Sequence, residues 1–333
     1  MDKILLAHGA GGKLTHELIR TIFRAKFSNP ALNQLNDSAI LKAGNARIAF
    51  TTDSFVVNPI IFPGGDIGKL AVCGTVNDLA MAGAQPLAIS VAAIIEEGLP
   101  INILKTITAS IAKAAAEAGV IIATGDTKVV EKGKADKLFL TTTGIGIVAK
   151  GIKVSGANAK PGDAVLINGN IAEHGMAVMS ARNDFKLKSE IKSDCAPLNG
   201  LTKALLSKVP STHVLRDPTR GGVATTLNEI AEQSNVGIII NQAYIPLKPM
   251  VQAACALLGI DPLYVANEGK VLAIVPKSQS SKAISAMKTN CYGKDSSVIG
   301  EVVKAPKGVW LRTAMGGLRP LAMLTGDQLP RIC

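Results

Sequence analysis

Four short stretches set an aspartate beside asparagine, serine or threonine: LNDSA with Asp37, TTDSF with Asp53, TVNDLA with Asn77 and Asp78, and ATGDTK with Asp126, Thr127 and Lys128. Carboxylate oxygens of this kind suit Mg2+, a hard cation that bridges one or two carboxylates and the phosphates of a nucleotide. Asp53 and Asp126 fall at the ends of predicted strands, where side chains can converge on one rim. Asp78 interrupts an otherwise apolar helix, a costly place for a carboxylate without a partner. Asp37 and Asp126 taken singly read as turn residues. Taken as a set, Asp37, Asp53, Asp78 and Asp126 point to a metal–nucleotide site.

Other stretches could serve such a site. In VLRDPTRGGVATTLNEIAEQ the Asp217-Pro218-Thr219 turn and Gly221-Gly222 lead into a helix, flanked by Arg216 and Arg220. A guanidinium is a planar fork suited to phosphate, although a capped helix with surface arginines explains the stretch as well. HGAGGKLTHE places Gly11, Gly12 and Lys13 before a helix, either as a cradle of backbone N–H groups for an anion or as a pliable lead-in. The spacing is not that of a Walker A loop. VANEGKVLAIV sets Glu268 in a turn before a strand, as a base or as a solvated acid. The four histidines have no metal-ligand spacing, and only His8, beside the glycines, reads as functional. The sequence ends on LPRIC, so Cys333 is a thiol at the end of an expected tail.

The elements that must hold these residues alternate. Strands are predicted over Arg47–Asp53, Pro86–Ile95, 120–127 and Lys137–Lys150, with helices over Asp66–Gly83 and Ile101–Gly119, each stopped by a glycine. This β-α-β-β-α-β-like order predicts an α+β fold rather than a doubly wound sheet. Ser155–Gly169, rich in Gly, Ala and Pro, reads as a domain boundary. Beyond it, helices are predicted over Ala172–Arg182, Gly222–Gln233, Pro249–Leu258 and Gln279–Lys288. Strands are expected over Val236–Asn241, Val271–Pro276, Val298–Val303 and Val309–Arg312. After Arg312, Gly316-Gly317, two prolines and the lack of a period predict a tail without regular structure.

Composition bounds the rest. The 333 residues are 47% hydrophobic and 18% charged, which is globular, and long enough for two domains. The net charge of +11 is thinly spread, aromatics are 3%, and no nucleic-acid-binding motif is present. No apolar run could span a bilayer and no secretory leader is visible. Cysteines 73, 195, 255, 291 and 333 are odd in number and scattered, which predicts a cytoplasmic protein without disulfides or structural zinc.

The order HGAGGK, NDSA, TTDSF, GTVNDLAMAGA, TGDTKVV, DPTRGG, NEGK and terminal PRIC resembles the HypE family of hydrogenase maturation factors, over nearly the whole chain. The looser VNDLA and DPTRGG patterns extend to the wider aminoimidazole ribonucleotide synthetase (PurM-like) superfamily. The resemblance implies a ferredoxin-like N-terminal ATP-binding and dimerisation domain (1–154), which pairs with a second copy as a dimeric β-barrel. It further implies a C-terminal α/β domain (155–313) and a flexible tail (314–333). The implied activity is that of a carbamoyl dehydratase. A carbamoyltransferase, HypF, loads a carbamoyl group on Cys333; the group is dehydrated with ATP to a thiocyanate; and a HypC–HypD complex accepts the cyanide. By the same resemblance Asp37, Asp53, Asp78 and Asp126 would hold Mg2+ and phosphates, and Gly11, Gly12 and Lys13 would close over them. Asn77, Thr127, Arg216 and Arg220 would complete the ATP site, and Lys128 and Glu268 would move protons. A selenophosphate synthetase would want a thiol near the N-terminal glycines, where His8 stands. A small-molecule kinase has no need of Cys333, and a docking module leaves the aspartates unexplained.

Overall fold

The computed structural model describes residues 3–182, 190–324, 326 and 331–333. A leader helix is built from α1 (Lys13–Leu18), a π-helical turn (Ile19–Phe23) and α2 (Arg24–Phe27). Then follow β1 (Ala39–Ala43), β2 (Ala46–Phe55), the short hairpin β3 (Ile61–Phe62) and β4 (Gly65–Asp66), and α3 (Ile67–Met81). β5 (Ala84–Glu96), α4 (Ile101–Ala118), β6 (Ile121–Val130) and β7 (Leu138–Val148) complete a sheet of order β1-β2-β7-β5-β6. Both helices therefore precede the last two strands, in the order of the predicted elements but not of the β-α-β-β-α-β scheme they were likened to. β6 lies parallel to β5 after the α4 crossover, and β7 inserts between β2 and β5, antiparallel to both.

The second sheet draws on β8 (Asp163–Ile167), with α5 (Glu173–Ser180) and α6 (Asn199–Lys208), then β9 (Val214–Arg216) and α7 (Gly222–Gln233). β10 (Gly237–Asn241), α8 (Pro249–Leu258), β11 (Leu272–Pro276), α9 (Ser280–Lys288), β12 (Ser297–Val303), β13 (Gly308–Arg312) and β14 (Leu318–Pro320) follow. The strand order is β14-β13-β10-β12-β8-β11-β9, with β10 and β13 parallel. β14 corrects the expectation of an irregular stretch after Arg312. The two glycines make a hairpin turn, with Thr313 N–H donating to Gly317 O at 2.8 Å, and β14 pairs antiparallel with β13.

α3 is the spine of the molecule. Asp66 caps it, its carboxylate accepting from Gly68 N–H (2.8 Å) and Lys69 N–H (3.0 Å). All of its residues except Lys69 and Asp78 are buried, because the first sheet covers one side and α4 and the second domain the other. α4 presents Ile107, Ile111, Ala114, Ala115 and Ala118 as one helical stripe; burying an isoleucine such as Ile107 contributes roughly 1.5–3 kcal/mol. β2 alternates, with Ala49, Thr51 and Phe55 turned toward α3 and Phe50, Thr52 and Ser54 exposed. The opposite face of this sheet carries exposed Phe50, Ile145 and Ile147. At its edge β6 is uncovered, with Ile121 66% and Val129 68% exposed.

Candidate active site

Three carboxylates meet between the domains. Oxygens of Asp37, before β1, of Asp78, on α3, and of Asp217, after β9, lie within 4.8 Å of one another. Thr51 Oγ1 donates to Asp78 Oδ2 at 2.7 Å and lies 3.0 Å from the Asp37 carbonyl. Asp53, two residues beyond Thr51 along the same face of β2, is close enough for its charge to act on Asp78. Burial pushes the Asp37 and Asp78 carboxyls well above the usual range. Asp53, Asp217 and Asp37 add to the effect on Asp78, while Arg216 works against it at Asp37. Asp217, for the same reason, is pushed up to about 6. Crowded oxygen donors with too little positive charge are the donor set a hard dication fits.

Asp53, Asp78 and Asp37 thus converge, as their motifs suggested. Asp217, read from sequence only as a turn residue, joins them; the available signal was the apolar pair Val214-Leu215 two residues before it. Asp126 stands apart. In the sheet register Asp53 faces Thr142, Thr142 faces Val91, and Val91 faces Gly125. Asp126 is therefore three strand spacings from Asp53, roughly 14 Å within one chain. With Thr127 and Lys128 it lies on exposed β6, its carboxylate 3.1 Å from Lys128 Nζ.

Arg216 ties the cluster to the leader. Its Nε lies 2.8 Å from Asp37 Oδ1 in an ion pair not aligned as a hydrogen bond, and its Nη2 contacts Glu229 Oε2 at 2.5 Å. Burial opposes its charge, but Asp37, Glu229, Asp217 and Asp78 more than offset this and hold it protonated. Glu229 also meets His16 of α1 at 3.0 Å. Gly11, Gly12 and Lys13 pack on this side. A Cβ on Gly12 would stand 2.3 Å from the Leu324 carbonyl, which Lys13 N–H also meets at 2.9 Å. A Cβ on Gly11 would stand 2.7 Å from Arg220 Cβ. The glycines therefore permit close contact with Arg220 and the tail strand, and the Lys13 side chain points to solvent. Gly222, with φ +62, could carry no side chain against the Leu263 and Val265 carbonyls. His8 is buried, its Nδ1 accepting from Leu5 N–H within its own turn.

Glu268 lies on the other rim. It is 3% exposed, and its Oε1 has no hydrogen-bond partner among the described residues. Burial, followed by Cys195, Asp217, Asp194 and Asp53, pushes its carboxyl well above the usual range. Its backbone is fixed: Asp194 accepts from Glu268 N–H (3.2 Å) and Gly269 N–H (3.3 Å) and pairs with Lys270 at 2.9 Å. Asn77 donates to the carbonyls of Ala196 (3.1 Å) and Glu268 (3.2 Å) and accepts from Leu198 N–H (2.8 Å). That spends its amide on joining the domains.

The last residues dock in the same cleft. Val56 N–H donates to Cys333 O (3.2 Å) and Asn58 N–H to Arg331 O (3.1 Å). Arg331 pairs with Asp136 at 2.7 Å, and Arg182 Nη2 donates to Arg331 O at 2.8 Å. Buried His174 Nε2 lies 2.8 Å from Ile332 O, and its Nδ1 lies 2.8 Å from Ser193 Oγ. Ile332 is buried and Cys333 packs on the core. Arg220 Nη1 donates to Gly9 O at 3.2 Å, and its guanidinium feels the charges of Cys333, Asp53, Glu268 and Asp78. Chiefly Cys333, against the opposing effect of burial, holds its guanidinium protonated.

Comparison with known proteins follows this geometry. Residues 35–148 match the N-terminal domain, and 160–311 the C-terminal domain, of the AIR synthase related proteins. The chain is 51% identical over 333 residues to the carbamoyl dehydratase HypE of Cupriavidus necator, covering 99% of this chain and 95% of that protein. A solved HypE–HypF complex contains a chain of 51% identity and TM-score 0.88, covering 92% of this chain and 99% of that one. A HypE structure in complex with ATP matches at 46% identity and TM-score 0.84, covering 99% of this chain and 100% of that one. Among the described residues no helix is long and apolar enough to cross a membrane. With both AIR synthase related domains and this identity over its length, the chain belongs to the carbamoyl dehydratase HypE family.

Proposed function

We propose that the chain dehydrates an S-carbamoyl group on its own Cys333 to a thiocyanate, using ATP, and so supplies the cyanide ligands of the nickel–iron hydrogenase iron. The observation that carries this reading is the docking of the last residues on Val56 and Asn58, directly beyond the strand β2 that carries Asp53, where Cys333 also acts on the charge of Arg220. The carbamoyl oxygen is a poor leaving group. Transfer of the γ-phosphoryl group to it forms a P–O bond and releases ADP. Loss of the two nitrogen protons then breaks the C–O bond, expels inorganic phosphate and leaves S–C≡N. Asp37, Asp78 and Asp217, with Asp53 behind them, would hold Mg2+, which when bound neutralises phosphate charge. Arg220 is placed to steady charge developing on the carbamoyl oxygen. Glu268, with its raised pKa and unpartnered oxygen, is the proton acceptor. Lys128 lies on exposed β6, paired to Asp126, and would share in proton transfer only by the dimer route that also brings Asp126 and Thr127 to the site.

The functional division is taken as 1–154, 155–313 and the substrate-bearing 314–333. The exposed apolar face and uncovered β6 fit a homodimer that closes this sheet against a second copy, and such pairing is the route by which Asp126 and Thr127 would reach a nucleotide. The HypF-bound relative supports HypF as a partner; its part as carbamoyl donor, and a HypC–HypD complex as acceptor, belong to the proposal. The test is mass spectrometry of the Cys333 peptide after carbamoylation with cyanate. With MgATP it should lose one water and ADP should form. An unchanged mass in folded, nucleotide-bound protein would reject the reading.

A further inference from the structure

We propose that His174 is a positioning residue that sets the register of the tail, its Nε2–H fixing the Ile332 carbonyl and thereby placing Cys333 at Arg220 and Glu268. The last three residues form no regular strand, Arg331 having φ +56, yet their backbone oxygens alternate between 56–58 and the other side. The Arg331 carbonyl and a terminal oxygen of Cys333 are met by the N–H groups of Asn58 and Val56, contacts that any tail sequence could make. The Ile332 carbonyl faces the other way, and His174 meets it at 2.8 Å. A slip of one residue shifts the chain by about 3.3 Å and exchanges its two faces. Ile332 would then leave its buried seat and Cys333 would leave the cleft.

The ring is built for one state. A carbonyl only accepts, so Nε2 carries the proton. Nδ1 of the neutral ring then accepts from the Ser193 hydroxyl at 2.8 Å, and Ser193 Oγ in turn accepts from Cys195 N–H at 3.0 Å. Burial holds the His174 pKa down against the opposing effects of Asp194 and the Ile332 carbonyl, which keeps the ring neutral. The edge of the ring system rests on Phe62, with centroids 5.4 Å apart and planes at 87°. Ser193 N–H is anchored on the Pro63 carbonyl at 2.8 Å, so both domains hold the chain of bonds. The segment that orients His174 runs straight on to Asp194, which holds the backbone of Glu268. Tail and base are therefore registered from one strap.

The link to turnover rests on the proposed dehydration; the link to register does not. Two readouts on the full chain separate them. The first is the alkylation rate of Cys333 by iodoacetamide, followed on its own peptide by mass spectrometry. The second is single-turnover dehydration of the carbamoylated chain. His174→Phe keeps ring volume but removes the donor. It should speed alkylation and slow dehydration by about tenfold each, with ATP affinity unchanged. His174→Gln can donate from a similar position and should restore both. Ser193→Ala frees the other tautomer and should fall between, which preserves the test if His174→Phe does not fold. Equal behaviour of the Phe and Gln variants, or parent-like alkylation in folded His174→Phe and in Ser193→Ala, would overturn the proposal. Faster alkylation with unchanged turnover would overturn the placing of Cys333 for reaction. An inert parent chain would count against the dehydratase reading alone, since the alkylation contrast still decides the register.

Discussion

Replacing Asp217 with asparagine should stabilise the metal-free protein while removing its response to MgATP. The carboxyl is forced into a buried cluster with Asp37 and Asp78 and its pKa rises from 3.8 to about 6, mainly through burial. At 1.36 kcal/mol per unit this is on the order of 3 kcal/mol. The sign follows from the raised value: the fold favours the protonated form, so the stability is fully present below pH 4 and is lost as pH climbs through about 6. At pH 7.5 the parent has lost that contribution, whereas a neutral asparagine of the same shape has not. Urea unfolding with EDTA should therefore show Asp217→Asn more stable at pH 7.5, by up to about 3 kcal/mol, with the gap closing as pH falls toward 4. Adding MgATP should stabilise the parent strongly and the variant little, because a ligand that binds only the folded state adds stability in proportion to its affinity. A variant less stable than the parent in EDTA at pH 7.5, or one stabilised equally by MgATP, would refute the assignment of Asp217 to a strained cation site.

The ion pairs should sort by burial. Arg216→Met, which strands Asp37 and Glu229, should cost about 3–5 kcal/mol in urea unfolding. Lys128→Ala, which breaks an exposed pair screened by solvent, should leave the urea midpoint unchanged. Val129→Lys on the uncovered edge strand should turn the proposed dimer into monomer in light scattering while leaving the fold intact; a native-sized dimer would move the interface elsewhere.

The sequence showed most elements because local physics dictates them. Glycine stops and a clean stripe mark α4, alternation marks β2, and Pro249 at the first turn marks α8. It hid α6, whose apolar side is three leucines in a polar stretch, and β9 and β14, only three residues long and formed by pairing with distant strands. The candidate site divides in the same way. Asp78 was readable as a carboxylate in an apolar helix, and Asp37 and Asp53 only as members of the repeated aspartate pattern. Asp126 looked equivalent, but strand order placed it across the sheet, and strand order is a non-local property. Asp217 and His174 were passed over because their roles depend on partners far along the chain: Asp78 and Asp37 for one, Ser193 and Ile332 for the other. The expected looseness of the tail gave no hint that Arg331, Ile332 and Cys333 each offer a backbone oxygen to a donor from the body.

The most direct measurement follows one oxygen atom. Cys333 is carbamoylated with oxygen-18 cyanate, MgATP is added, and the released inorganic phosphate is weighed. Phosphorylation of the carbamoyl oxygen predicts that the label leaves in phosphate, one atom for each thiocyanate formed on Cys333. Label recovered in water, or retained on Cys333 while ATP is hydrolysed, would contradict it.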